Sequence, residues 1–314
     1  MLNRRHLRVK VLQALYAYQH SENKDVSRHQ KSLFTSVDNI YDMYIGMLAL
    51  IVAVIQYADT DATEGLNKHI PSEADLNPNL KILNNLFIDA LLKNEDYQKA
   101  LKKYNLKWSY DLELVRSLFA TLKTTSEYEK YTQITEHTLH SDKDIIKFIF
   151  RKIVLKSPLA VQTFEDDYIN WAVDMDVLQA MFANTLKSFS EGGDYSLAQI
   201  SANWADDKEF IADLLHKTIG NDGAFQKMIA NKTQNWDADR IALTDIIIMK
   251  MALSELLFFA SIPVKVSINE YLDLAKEYST PKSNAFINGI LDKILADLKA
   301  ENKIRKFGRG LVGS

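Results

Sequence analysis

The amino-acid sequence predicts an all-α protein made of helical bundles. Only 10 glycines and 5 prolines occur in 314 residues, below the usual shares of about 7% and 5%. Apolar residues recur over long stretches with the helical period of about 3.6, and no convincing run alternates β-branched residues as a strand would. Hydrophobic residues make up 47% of the chain, enough for a proper core and too many for wholesale disorder.

The elements follow in order. Residues 3–20 form a first helix whose buried face is Leu7, Val11, Leu15 and Tyr18. Helix 34–58 contains the longest apolar run, the 13 residues Met43 to Ile55. A bilayer crossing needs about 20, so this run reads as a buried core helix. The polar stretch 60–79, with Pro71 and Pro78, reads as a loop. Periodicity then places helices at 78–93, 95–104, 109–123, 142–155 and 158–188. The Gly192-Gly193 pair is a strong break. It divides the chain into an N-terminal helical subdomain (1–190), a C-terminal helical domain (191–299) and a basic flexible tail (300–314). Helices 206–218 and 222–232 lead into 238–260, which is apolar nearly all round from Ile241 to Phe259 and so belongs at the centre of a bundle. Pro263 stops it. Ser267 and Glu270 have capping-box spacing, with Val266 and Tyr271 as the staple, opening helix 267–278. Thr280 and Pro281 supply the N-cap and first position of helix 281–298.

Composition excludes several function classes. Cysteine is absent, so there is no disulfide scaffold, zinc-thiolate site or thiol catalysis, and a reducing cytoplasmic setting is expected. Residues 1–10 lack the apolar segment of a secretory signal. Phosphate-binding glycine loops, nucleophile elbows and His-Glu-x-x-His are missing. No enzyme activity, cofactor or metal is therefore expected. His137 and His140, three residues apart, read as a solvated polar segment, and the acidic pairs Asp166-Asp167 and Asp237/Asp239 as helix starts.

Net charge is −3, but it is unevenly spread. Residues 1–21 carry Arg4, Arg5, Arg8 and Lys10 and no acid; residues 299–314 carry five cations against Glu301. The body 22–298 is left at −11. Basic ends on an acidic body fit a polyanion better than the sum suggests. Arginines in a helical first turn oppose the macrodipole by a few tenths of a kcal/mol each; a ligand phosphate or acidic partners on the protein would relieve this. In the last helix Ile287, Leu291, Ile294 and Leu298 make the core stripe. Lys282, Phe286, Gly289 and Lys293 share one flanking stripe: an aromatic between two cations, beside a glycine. Bases stack on aromatic faces while cations hold phosphates; helix packing and solvated lysines would account for the same spacing. Tyr16 is a second candidate stacking residue.

Ile246-x3-Lys250-Met-Ala-Leu-Ser-Glu-Leu256, Ile262-Pro-Val-Lys-Val-Ser-Ile-Asn-Glu270, Leu274-Ala-Lys276 and Phe286-Ile-Asn-Gly-Ile-Leu-Asp292 together resemble the C-terminal domain of NusB transcription antitermination factors. Arg4-Arg5-x-x-Arg8 followed by Val11-Leu-Gln-Ala-Leu-Tyr16 resembles that family's arginine-rich first helix. The resemblance implies a NusB-like all-α fold, here with an enlarged N-terminal helical subdomain. It implies binding of boxA-type single-stranded RNA of ribosomal RNA transcripts together with the ribosomal protein NusE, in a transcribing RNA polymerase complex, with no membrane and with room for a homodimer. It maps RNA contacts onto Arg4, Arg5, Arg8, Tyr16 and Phe286, to which the stripe adds Lys282 and Lys293, and a protein contact onto Asp245. Two departures stand out: His6 occupies a position where arginine is common, and residues 21 to about 190 far exceed the family's usual N-terminal domain. The alternative is a stand-alone NusB-like RNA-binding module in ribosome assembly, related to the N-terminal part of ribosomal RNA cytosine methyltransferases.

Overall fold

The computed structural model describes residues 2–106, 111–134, 136–190, 195–233 and 241–307. These residues form fifteen α-helices, a 3-10 turn at Lys81–Asn84 and a π-helical segment at Ile149–Val154, with no strand among them. The all-α reading holds. The chain divides into two compact units, Asp38–Ile200 and Leu2–Val37 with Ser201–Ser314. The first helix therefore belongs with the C-terminal helices, not with an N-terminal subdomain ending at 190. Its apolar face, Leu7, Val11 and Leu15, is buried against them.

In the first unit, α2 (Val26–Leu66) supplies the core through Ile40, Met43, Tyr44, Met47, Leu50, Ile51 and Val54. Its opening turns, up to Val37, belong to the other unit. It is long and apolar enough to cross a bilayer, but 78% of its apolar window is buried in the protein, as in a core helix. It outruns the expected 34–58 at both ends because Asp25 receives the Ser27 N–H at the start and the polar residues after Ala58 continue the helical turn. Short helices follow: α3 (Glu73–Leu76), α4 (Leu86–Lys93), α5 (Glu95–Tyr104), α6 (Leu112–Lys123), α7 (Ser126–Gln133) and α8 (Leu139–Phe148). Helix α7 escapes the sequence reading; Thr125 caps it and Tyr128 and Tyr131 bury one face. Asp142 is fully buried and gathers the Tyr131 hydroxyl and Leu86 N–H, both at 2.8 Å, and His137 Nδ1 at 3.1 Å. His137 is thus tied into a carboxylate network, and no metal-binding cluster occurs among the described residues.

The expected helix 158–188 is two helices, α9 (Pro158–Asp167) and α10 (Trp171–Ser188). No glycine or proline marks the break. It is made by Trp171 stacking back on Phe164, centroids 4.7 Å apart, with both rings buried. Asp166 and Asp167 consequently end a helix instead of starting one. The Gly192-Gly193 pair and Asp237/Asp239 lie outside the described residues, as do Gly308, Arg309, Gly310 and Gly313 of the tail.

The second unit is built on α13 (Leu243–Phe258), which packs against α1 (Arg4–His20), α11 (Trp204–Gly220), α12 (Asp222–Lys232), α14 (Val264–Tyr278) and α15 (Ser283–Ala300). Ile247 to Leu256 are buried without interruption, as the all-round apolar pattern predicts. The local signals around it are read differently by the fold. Helix α14 starts at Val264 with Pro263 as its N-cap and no side-chain cap. Ser267 lies inside the helix and is fully buried, so its hydroxyl turns to a buried carboxylate and no capping box forms. Likewise α15 starts at Ser283, and Thr280 Oγ1 bonds the Ser283 hydroxyl at 2.8 Å instead of capping a helix at Pro281. The tail expected to be free from residue 300 is anchored as far as Phe307: Lys306 Nζ donates to the carbonyls of Glu255 (3.0 Å) and Phe259 (2.9 Å), and Phe307 N–H to Ala260 O (3.1 Å). A cation at the carbonyl end of α13 has the favourable sense of the helix dipole.

Candidate nucleic-acid interface

Helix α1 is started by a reciprocal cap. Asn3 Oδ1 accepts the His6 N–H at 3.0 Å, and His6 Nδ1 faces the Asn3 N–H at 3.4 Å. His6, the departure from the arginine pattern, thus has a structural task. The cap points Arg4, Arg5 and Arg8 into one open groove of about 1100 Å³. Its other walls include the acids Asp206, Glu209, Asp213 and Glu270 and the apolar residues Phe210, Phe258, Val266 and Phe307.

The three arginines differ sharply in availability. Arg8 is 2% exposed. Its Nε and Nη2 donate to the two oxygens of Glu255, both at 2.8 Å, and Glu255 is fully buried. Ser267 Oγ (2.7 Å) and Tyr271 OH (3.0 Å) complete the carboxylate. About four lone-pair sites are available on a carboxylate, and all four receive a donor. Burial, reinforced by Glu255, pushes the Tyr271 phenol well above its usual range, so it stays a donor. Although burial alone would lower it, the hydrogen bonds and charge of Glu255 raise the Arg8 pKa. Breaking a buried pair by removing one partner costs about 3–5 kcal/mol. Arg8 therefore fixes α1 onto α13 and α14 and is not free to hold a phosphate, which corrects the role the resemblance implied.

Arg5 and Arg4 are of the other kind. Arg5 is 42% exposed and spans Glu270 (3.1 Å) and Asp273 (2.7 Å) on α14. Its pKa is raised, first by the Glu270 hydrogen bond, and that of Asp273 is lowered, first by Lys276. Arg4 is 43% exposed, 3.4 Å from Asp207 and 4.2 Å above the Phe210 ring. In these pairs the guanidinium is the more exposed partner, Asp207, Glu270 and Asp273 being 16%, 22% and 36% exposed, so each arginine keeps a solvent-facing side that can meet a phosphate.

Tyr16 is 45% exposed, its ring centroid 4.6 Å from that of His20, and it does not line the groove. On α15, Ile287, Leu291, Ile294 and Leu298 are buried as predicted. Lys282 at the N-cap, Gly289 and Lys293 are exposed and Phe286 is half-buried, so the flanking stripe is at the surface. Neither lysine side chain forms an ion pair among the described residues. These residues do not line the arginine groove.

Asp245 does not face outward. It is 5% exposed, and its two oxygens accept the hydroxyls of Ser279 and, at 2.7 Å, Ser283. Its carboxylate ties the α14–α15 turn to α13 and so positions Lys282 beside it, which corrects the expected partner contact. Asp245→Ala should cost about 1–2 kcal/mol, near the lower part of the range for orphaned buried groups, because the serines retain each other at 3.0 Å. Urea unfolding checks this. The sequence reading quotes Glu255 without a task and takes Glu270 only as a capping-box partner; in the structure they hold Arg8 and Arg5. Glu255 in a mostly apolar helix that also carries Asp245 and Lys250 was the available signal, since a buried charge needs a paired partner.

The architecture defines an all-helical protein whose arginine-bearing first helix is locked onto a C-terminal bundle by one buried carboxylate. Residues 172–296 match the NusB family. The chain is 35% identical over 132 residues to the transcription antitermination protein NusB of Geotalea daltonii, covering 90% of that protein and 38% of this chain. It is 40% identical over 106 residues to that of Salinibacter ruber and 41% over 105 to that of Chloroherpeton thalassium, spanning 66% and 50% of those proteins and 34% and 33% of this chain. No solved structure matches it. The chain belongs to the NusB family.

Proposed function

We propose that this protein is a non-enzymatic, cytoplasmic transcription antitermination factor that binds boxA-type single-stranded RNA together with NusE and joins a transcribing RNA polymerase complex. The observation that carries the reading is the surface stripe of α15: Lys282 and Lys293, which form no ion pair among the described residues, flank the half-buried ring of Phe286 on a helix whose remaining stripe is core. Arg4 and Arg5 add phosphate contacts from their solvent-facing sides, and Tyr16 offers a second ring. Arg8 and Asp245 hold these groups in place from inside.

The test is titration of a boxA-type strand and a scrambled strand, each with NusE, across about 50 to 200 mM salt. The boxA strand is expected to bind more tightly, with log K falling linearly in log salt. Arg4→Gln combined with Arg5→Gln should weaken both strands and flatten the slope by about 0.7 per lost phosphate contact. Equal binding of the two strands would sink the proposal.

A further inference from the structure

The helices that set this chain apart carry a charge feature of their own. The end of α8, the π-helical segment and the turn after it present Lys147, Arg151, Lys152 and Lys156, all exposed. The segment is bonded five residues back, with Leu155 N–H to Phe150 O at 3.1 Å. In a regular α-helix these four positions would spread over about half of the circumference, given 3.6 residues per turn. Bonding to the fifth residue draws positions four and five apart towards one side. The segment is pinned from behind by Phe150 stacked on Phe182, centroids 3.8 Å apart. Such π-helical turns occur frequently at functional sites.

Arg151, Lys152 and Lys156 open onto a groove of about 590 Å³ whose opposite wall is one face of α10: Trp171, Met175 and Gln179. No carboxylate lines it among the described residues. Lys68, Lys93, Lys99, Lys103, Arg116 and Lys123 each sit within 3.5 Å of a carboxylate. None of Lys147, Arg151, Lys152 and Lys156 forms an ion pair among the described residues. Other cations of this unit, such as Lys102, Lys130 and Lys187, also form no ion pair among the described residues, but these four are gathered on one stretch of chain. The nearest acid on α8, Asp144, is turned to His140 at 3.3 Å.

We propose that this groove is a second phosphate-binding track for single-stranded RNA, engaging the backbone and not the bases. The inference rests on the RNA-binding reading above. The chemistry favours a polyanionic strand: cations in succession along an open groove, no acceptor to read a base edge beyond Gln179, and Trp171 only 4% exposed and unable to receive a base. Backbone contacts raise affinity without adding sequence preference.

The experiment compares the full chain with the variant K147Q/R151Q/K152Q/K156Q, whose exposed glutamines preserve helix propensity. The probe is a labelled boxA-type strand carrying a long single-stranded extension, titrated against salt with NusE present, with circular dichroism as the check on folding. The variant is expected to lose up to about 2–3 units of salt slope, at roughly 0.7 per phosphate, while the ratio of boxA to scrambled binding stays unchanged. An unchanged slope and affinity, with boxA preference intact in the parent, overturns this inference alone. Absence of RNA binding by the parent overturns it together with the proposed function. Loss of binding to phosphatidylglycerol vesicles with RNA binding unaffected would make the groove a lipid-headgroup site and overturn the assignment to RNA.

Discussion

Arg8→Ala is expected to destabilise the second unit by about 3–5 kcal/mol. The substitution leaves Glu255 fully buried, its carboxylate held by the Ser267 and Tyr271 hydroxyls without the guanidinium fork. It also removes the fork that joins α1 to α13 through two 2.8 Å bonds. Arg8→Lys should fall between, because it keeps the charge but not the bidentate geometry. The double variant Arg8→Ala, Glu255→Ala should cost less than the sum of the singles, since it leaves no orphaned charge; an interaction energy of about 0.5–3 kcal/mol is the usual scale for touching residues. Urea unfolding together with hydrogen exchange of the α13 and α14 amides reads the effect in the right unit. A stable Arg8→Ala protein that had lost RNA affinity would restore Arg8 as a phosphate ligand and refute the structural role.

The same site shows what was legible in the sequence and what was not. The centre of the bundle was legible because Ile246 to Phe258 offers no polar face on which a helix could lie at the surface; its end was less so, since α13 stops at Phe258 and Pro263 instead opens α14. The α15 core stripe was legible for the complementary reason: its period is clean. The buried carboxylate was not. Glu255 and Arg8 each stand out locally, but they are 247 positions apart, and no local rule pairs them. Ser267 and Glu270 illustrate a subtler limit. Their spacing is that of a capping box, yet each is used separately, Ser267 by Glu255 and Glu270 by Arg5 and Arg8. Long-range burial outcompeted a local bond worth about 1 kcal/mol. In the first unit the missed elements share a cause: the α9–α10 break is made by Trp171 on Phe164, and the π-helical segment by packing around Phe150, neither of which leaves a breaker residue behind. The flanking stripe of α15 was therefore easier to single out than the basic stretch around Ile149–Val154, whose charges become a cluster only once the backbone geometry is known.

Phe286→Ala is expected to weaken binding of the boxA-type strand by about 1–3 kcal/mol, the cost of one lost base–aromatic stack, or roughly 5- to 150-fold in Kd. Ile287, Ile290 and Leu291 hold α15 in the core at 3% exposure or less, so truncating a half-buried neighbour on the flanking stripe leaves the helix seated. Phe286→Leu separates the two sources of energy: it restores apolar area but supplies no ring face, so a stacking role predicts that it stays close to the alanine variant. Recovery of wild-type affinity by leucine would mean that Phe286 contributes only packing. The salt slope adds an independent sign. Stacking releases no counterions, so Phe286→Ala should shift log K at every salt concentration by the same amount, whereas Lys282→Gln and Lys293→Gln should each reduce the slope by about 0.7. A Phe286→Ala variant that binds boxA RNA as the parent does, with the same slope, would remove the central residue of the proposed interface.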